Sequence, residues 1–206
     1  MKVPELKAKI ILASQSPRRR YLLERAGLRF TVIPSEFDEA TISASTPDDY
    51  VRSLAQEKAR DIGRKHPDAW VIGADTVVVV DGRILGKPGS TPEARDMLRR
   101  LSGRTHQVLT GYCIGRMSEA RWFADTVRTE VLFKTLSEDE IEWYIQTGEP
   151  FDKAGAYAIQ GIGSFMIESI QGSFTNVVGL PLCELVQMLS RLGAITISES
   201  GFQIGE

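Results

Sequence analysis

Lys9-Ile10-Ile11-Leu12-Ala13-Ser14-Gln15-Ser16-Pro17-Arg18-Arg19-Arg20 passes from a strand to a helix start through one short loop. Residues 9–12 are apolar enough for a strand. Pro17 suits the first helical position, whose N–H has no intrahelical partner anyway. Ser14 and Ser16 supply hydroxyls just ahead of it. The helix then opens on three arginines, which is electrostatically wrong for a terminus that carries partial positive charge. Cations belong at such a terminus when a polyanion sits there too. Free N–H groups, hydroxyls and guanidinium groups together make a phosphate site. The alternative is a solvated basic turn.

Outward from that stretch, strand and helix patterns alternate, which places the chain in the α/β or mixed α+β class. The first helix is expected over 17–26, closed by Gly27, with a second strand over 28–33. Residues 34–45 form a polar loop holding Glu36, Asp38 and Glu39. Thr46-Pro47-Asp48-Asp49 is a strong helix start, and that helix is expected to reach Lys65. Its apolar stripe reads Val51, Leu54, Ala55 and Ile62, and Lys58 falls on the same stripe. A lysine there either snorkels outward or meets a buried anion.

Residues 70–80 form a long β-rich run. Asp81-Gly82 is a hairpin turn signal, and 83–85 return as the partner strand. A helix opens at Thr91-Pro92-Glu93 and ends at Gly103. Strands near 107–115 and 122–135 are joined around 116–120. Ser137-Glu138-Asp139-Glu140 has the form of a capping box and starts a short helix to about Gln146. Residues 151–163 are rich in Gly and Ala and hold Asp152, Lys153, Tyr157 and Gln160. A strand over 165–170 and an apolar helix over 181–192 follow. Residues beyond Ala194 read as a poorly anchored tail. With no repeats or linkers, one domain over 1–206 is expected, 1–9 being an extension and 194–206 the tail.

The 206 residues suffice for one sizeable core, or for two small lobes around a cleft. Apolar content of 42% and charged content of 25% are those of an ordinary soluble globular protein. A net charge of −2 argues against a nucleic-acid coat or a polybasic membrane binder, so a phosphate ligand must be met by local charge. Cys113 and Cys183 allow one bridge at most, and with His66 and His106 they show no zinc spacing. All four read as structural or surface residues. Residues 1–7 lack the apolar core of a signal peptide, and no stretch approaches the ~18 apolar residues of a membrane span. An intracellular, cytoplasmic protein is expected.

Asp75 lies inside the β-rich run 70–80, although aspartate is a poor strand former. A carboxylate in an apolar strand is costly unless cations or donors meet it. Gly73 and Ala74 just before it let another backbone or a ligand come close. The other reading is a structural Asp at a strand bend. Lys87-Pro88 follows the hairpin return and is weak alone, since such a lysine is usually solvated. Glu36, Asp38 and Glu39 are either a solvated face or, beside a phosphate site, partners of Asp75 in a hard-metal site for Mg²⁺ or Mn²⁺. Together these residues are the equipment for water attack on a phosphoanhydride. No P-loop signature is present, and no Gly-x-Gly-x-x-Gly follows a strand.

Four ordered blocks resemble the Maf family of nucleoside triphosphate pyrophosphatases: Leu12-Ala13-Ser14-Gln15-Ser16-Pro17-Arg18-Arg19; Gly73-Ala74-Asp75-Thr76-Val77 with Gly86-Lys87-Pro88; Asp152-Lys153-Ala154-Gly155-Ala156-Tyr157-Ala158-Ile159-Gln160-Gly161; and Asn176-Val177-Val178-Gly179-Leu180-Pro181. The resemblance spans about residues 10–192. It implies a mixed α/β fold of the inosine-triphosphate-pyrophosphatase-like type, an elongated mixed sheet with flanking helices and a cleft between two lobes. It also implies cleavage between the α and β phosphates, a divalent metal and a homodimer.

By the same resemblance, Asp75 is the base or a metal ligand, and Glu39 matches an acidic position tied to metal. Arg19, Lys58 and Lys87 match phosphate-binding cations, beside Ser14 and Ser16. Arg18, Thr76 and Gln160 resemble the branch acting on dTTP and UTP. They depart from the branch preferring 7-methyl-GTP, which tends to carry an aromatic, a Gln and an acid there. Gln160 offers both a donor and an acceptor to the imide edge of uracil or thymine. The family is also associated with control of septum formation, so a non-catalytic nucleotide-binding regulator is the competing expectation.

Overall fold

The computed structural model describes residues 9–198 and 201–205. The first third of the chain forms strand β1 (Ile10–Leu12), helix α1 (Pro17–Arg25), β2 (Thr31–Val32) and α2 (Pro47–Lys65). The middle forms β3 (Trp70–Val80), β4 (Arg83–Leu85), α3 (Thr91–Leu101), β5 (Thr105–Arg116) and β6 (Arg121–Phe133). Then come α4 (Glu138–Gln146), β7 (Ile167–Gln171), α5 (Phe174–Val178), α6 (Leu182–Arg191), β8 (Ile195–Ser198) and β9 (Gly201–Ile204). The helices start where hydroxyl caps allow. Ser16, Thr46, Ser90 and Ser137 each accept a backbone N–H three residues on, and Ser137 with Glu140 completes the capping box.

Seven strands form one mixed sheet in the order β2-β1-β3-β5-β6-β7, with β4 also on β3. β1 pairs parallel to β3 at Trp70, Val71 and Ile72, and β4 pairs antiparallel at Val78, Val79 and Val80. β5 covers the other edge of β3 from Val71 to Val79. The edge of residues 73–77 therefore lies in a gap between β1 and β4, with no strand on it among the described residues. The mixed α/β class expected from the sequence is the one observed.

Side chains of β3 alternate between two faces, as a strand must. On one face Trp70, Ile72 and Ala74 join a core with Leu22 and Leu23 of α1 and Leu185 and Leu189 of α6. Farther along the same face, Val78 and Val80 join a second core with Leu98, Leu101, Ile141 and Ile145. Thr76 falls between the two cores. On the opposite face Val71, Val77 and Val79 pack under α2, against Ala55, Ala59, Ile62 and Val51. Asp75 faces that side.

Two glycines seat α2 on the sheet. A Cβ on Gly73 would lie 2.2 Å from the Ala55 carbonyl oxygen and 2.9 Å from the Ala59 nitrogen. One on Gly111, which pairs with Asp75, would lie 2.3 Å from the Val51 carbonyl. The helix backbone thus rests on the strands where no side chain intervenes. The close approach anticipated at Gly73 is made by a backbone.

The structure corrects two expectations and adds a helix. The strand over 28–33 shrinks to Thr31–Val32. After Gly27 turns left-handed at φ +77°, the Leu28 N–H bonds the Leu23 carbonyl, so Leu28 closes α1 instead of opening a strand. The tail beyond Ala194 is not loose. β8 and β9 pair as a hairpin, Ile195 is buried, and Phe202 and Ile204 pack on the first core. Helix α5 was not foreseen, although Ser173 caps it and Gly179 ends it. Most of the expected N-terminal extension lies outside the described residues.

Candidate active site

A cleft of about 750 Å³ opens at the gap beside residues 73–77 of β3. All ten residues matched to the site by the resemblance line it, whereas Asp38 of the acidic loop does not. Ser14 and Ser16 come from the loop after β1, and Arg18 and Arg19 from the first turn of α1. Glu39 comes from the 3-10 turn Glu39–Thr41, Lys58 from α2, and Asp75 and Thr76 from β3. Lys87 follows β4, and Gln160 lies in the irregular segment after α4.

Arg19 is the half-buried, firmly oriented cation of this cleft. Its Nε donates to the Gly179 carbonyl at 2.8 Å, one terminal nitrogen to Ser14 Oγ at 3.1 Å, and the other to Thr76 Oγ1 at 3.1 Å. Three of five donors are thus used, and no carboxylate pairs with it among the described residues. Burial lowers its pKa, and the Asp75 charge opposes that. A guanidinium stays charged regardless. A half-buried, oriented cation with spare donors and no ion-pair partner is a site prepared for an anion. The α1 N-terminus, capped by Ser16, points the same way. Thr76 holds Arg19 in place. Its hydroxyl also meets Thr110 Oγ1 at 2.9 Å, and Thr110 in turn donates to the Asn176 carbonyl at 3.0 Å.

Opposite lies a three-residue cluster. Lys58 Nζ stands 2.6 Å from Asp75 Oδ1 and 2.7 Å from Glu39 Oε1. Lys58 is 12% exposed and Asp75 14%. Lys58 therefore does not snorkel outward; the anion it meets is Asp75. Of the acidic loop only Glu39 reaches this point. Asp38 caps the turn that carries it, and Glu36 pairs with Lys65. Asp61, on α2, ties the loop down by accepting from Ser35 Oγ at 2.9 Å and the Glu36 N–H at 3.0 Å.

The rim joins the first block to the segment 152–160. Arg18 donates to Asp152 Oδ2 at 3.0 Å and to its carbonyl at 3.3 Å. Burial works against the Asp152 charge, but bonds from Lys153 and Arg18 outweigh it and lower the pKa. Lys153 also donates to the Glu149 carbonyl at 2.8 Å. Lys87 is exposed and Gln160 half-buried, and neither is paired among the described residues.

Two contributors, Tyr50 and Asp61, were not picked out from the sequence, and Tyr157 was named there without a role. Tyr50 lines the cleft from α2, four and eight residues before Leu54 and Lys58 on one helix face, so its spacing was a readable signal. Burial, then the Asp75 and Glu39 charges, push its phenol up. Tyr157 lines the cleft and is held from behind by His106, whose Nε2 lies 2.7 Å from the phenol oxygen. Asp61 gave no signal, because its partner loop is remote in sequence.

Phosphate-ready cations on one wall and paired carboxylates on the other match what phosphoanhydride hydrolysis requires. The model of the family described as Maf-like protein matches residues 9–192. This chain belongs to the Maf family.

Curated Maf relatives are similar over almost their whole length. A dTTP/UTP pyrophosphatase of Syntrophus aciditrophicus is 53% identical over 193 residues, 94% of each chain. One of Geotalea uraniireducens is 51% identical, covering 93% of this chain and 98% of its own. One of Halalkalibacterium halodurans is 49% identical, covering 91% and 97%. Among solved structures, a HAM1 protein from Coxiella burnetii overlaps 61% of this chain and 73% of its own at 16% identity and a TM-score of 0.42, too slight a likeness to build on.

Proposed function

We propose that this Maf protein hydrolyses dTTP and UTP, and modified pyrimidine triphosphates of the same shape, to the monophosphate and pyrophosphate. The observation that carries the reading is the half-buried Arg19 guanidinium, oriented by Ser14, Thr76 and Gly179 and sharing one cleft with Asp75 and Lys58. The names of its Maf relatives support the pyrimidine substrates. A regulator that only binds nucleotide needs the cations but not a carboxylate inside β3, so that alternative is set aside.

Arg19, Ser14, Ser16 and the α1 N-terminus receive the phosphates, with Lys87 free to close on them from the far side. Asp75 and Glu39 converge on one point already occupied by a cation, which fits a hard ion. No group of three His, Cys, Asp or Glu is close enough to hold a metal among the described residues. Two carboxylates suit Mg²⁺ or Mn²⁺, which take remaining oxygens from phosphate and water. When bound between Asp75 and Glu39, such an ion would supply charge neutralisation at the phosphates. Asp75 holds the ion or takes the proton of the attacking water. Arg18 and Gln160 stand at the rim, where the amide of Gln160 meets the imide edge of the base. Thr76, whose hydroxyl also holds Arg19, limits the room beside the base.

No helix is long and apolar enough to cross a membrane among the described residues. A cytoplasmic homodimer free of nucleic acid, guarding the nucleotide pool, completes the proposal. The test is kcat/KM for dTTP, UTP, GTP and 7-methyl-GTP with Mn²⁺. The pyrimidine substrates should lead, and a lead for 7-methyl-GTP would overturn the specificity.

A further inference from the structure

Lys58 is held as an ion between two carboxylates. Its ammonium sits within 2.7 Å of one oxygen from each of two carboxylates borne by separate elements. A divalent cation binding Asp75 and Glu39 together would need the same point, since hard ions take carboxylate oxygens at about 2.0–2.6 Å. Ammonium and metal cannot share that space, and their like charges forbid close approach. Lys58 has poor alternatives while the cleft is empty. The other charged side chains lining the cleft include Arg19 and Lys87, also cations, and the stem of Lys58 is held on the inward stripe of α2.

We propose that Lys58 keeps the metal position closed until a polyphosphate enters. The triphosphate brings the negative charge that draws Lys58 Nζ away from Asp75 and Glu39, and the divalent ion takes its place. Lys58 is then a positioning residue with two stations: the carboxylates in the free protein and the phosphates in the complex. Nucleotide-free protein consequently binds divalent ions weakly, and nucleotide and metal load together, each raising the affinity for the other. The proposal rests on the polyphosphate reading of the cleft only for the identity of the incoming anion.

The test uses full-length protein without nucleotide. Mn²⁺ binding is followed by electron paramagnetic resonance, which reads free against bound ion. Lys58→Met and Lys58→Gln should each bind Mn²⁺ at least about tenfold more tightly than wild type, the scale of removing one close like charge. Lys58→Arg keeps the charge and should stay within about threefold of wild type on the same grounds. Adding Glu39→Gln to Lys58→Met should abolish the gain. Two substitutions of different polarity guard against one failing to fold, and circular dichroism checks each. Equal Mn²⁺ affinity in wild type, Lys58→Met and Lys58→Gln overturns the proposal, as does an equal gain in Lys58→Arg. No nucleotide is present, so failure to hydrolyse dTTP would be seen separately from this outcome.

Discussion

Asp75 is the only acidic residue of β3, and it persists there because Lys58 meets it from the helix above. Asp75→Asn keeps the size and removes both charge and basicity. Steady-state kinetics should show kcat lower by roughly 10² or more with the fold intact. A variant retaining over about a tenth of wild-type kcat would contradict both roles assigned to Asp75. At the rim, Gln160→Glu exchanges an amide for a group that only accepts, and it would face a carbonyl oxygen of the base. The mismatch should lower kcat/KM for dTTP and UTP roughly 5- to 150-fold. GTP should lose less, because its N1–H and N2–H donate to an acid. An equal loss on every nucleotide would remove Gln160 from base recognition.

At the scale of elements, the catalytic pairing depends on how closely α2 lies on β3. Gly73→Ala would drive a methyl into the Ala55 carbonyl, which cannot yield as a flexible side chain would. We expect a loss of at least about 1–3 kcal/mol in a urea melt, together with reduced kcat as Lys58 shifts from Asp75. Gly89→Ala, where the new Cβ meets only the Glu93 carboxylate at 3.5 Å, should be near neutral. A harmless Gly73→Ala would mean that α2 can move without consequence. The inward stripe of α2, including Lys58, was legible because helical periodicity repeats locally. That Lys58 reaches Asp75 was not legible, because the crossing of α2 over β3 is a tertiary fact. Local rules also misled: Leu28 continues an apolar run, yet its N–H closes the preceding helix. Helix α5 was hidden by Val177 and Val178, whose branched side chains argue for a strand. The task of Thr76 was hidden for a similar reason, since its partner Arg19 lies 57 residues away.

The whole molecule stores a pH response in His106. Burial lowers its pKa from 6.5 to about 4, so the native ring is neutral where the unfolded ring begins to take a proton. Its contribution to stability is complete above pH 6.5 and falls by about 1.4 kcal/mol per unit as pH drops toward 4. Denaturant melts of wild type and His106→Gln should diverge in slope across that window; parallel curves would mean the ring is accessible in the native state. The C-terminal hairpin makes a separate contribution. The sequence beyond Ala194 looks weakly held because its apolar residues are few, but Ile195 is buried and Phe202 and Ile204 cover the first core. Deleting residues 195–206 should cost about 2–4 kcal/mol, and an unchanged melt would contradict that packing.

The cleft arises because β1 ends before β4 begins, which leaves Asp75 and Thr76 between two cores and within reach of α2 on one face and α1 on the other. What that arrangement is for can be read from the products of a single reaction. Purified protein incubated with dTTP and Mn²⁺, then resolved by anion-exchange chromatography, should yield dTMP and pyrophosphate in equal amounts with no dTDP. Appearance of dTDP with orthophosphate would place the attack at the γ-phosphate and contradict the account.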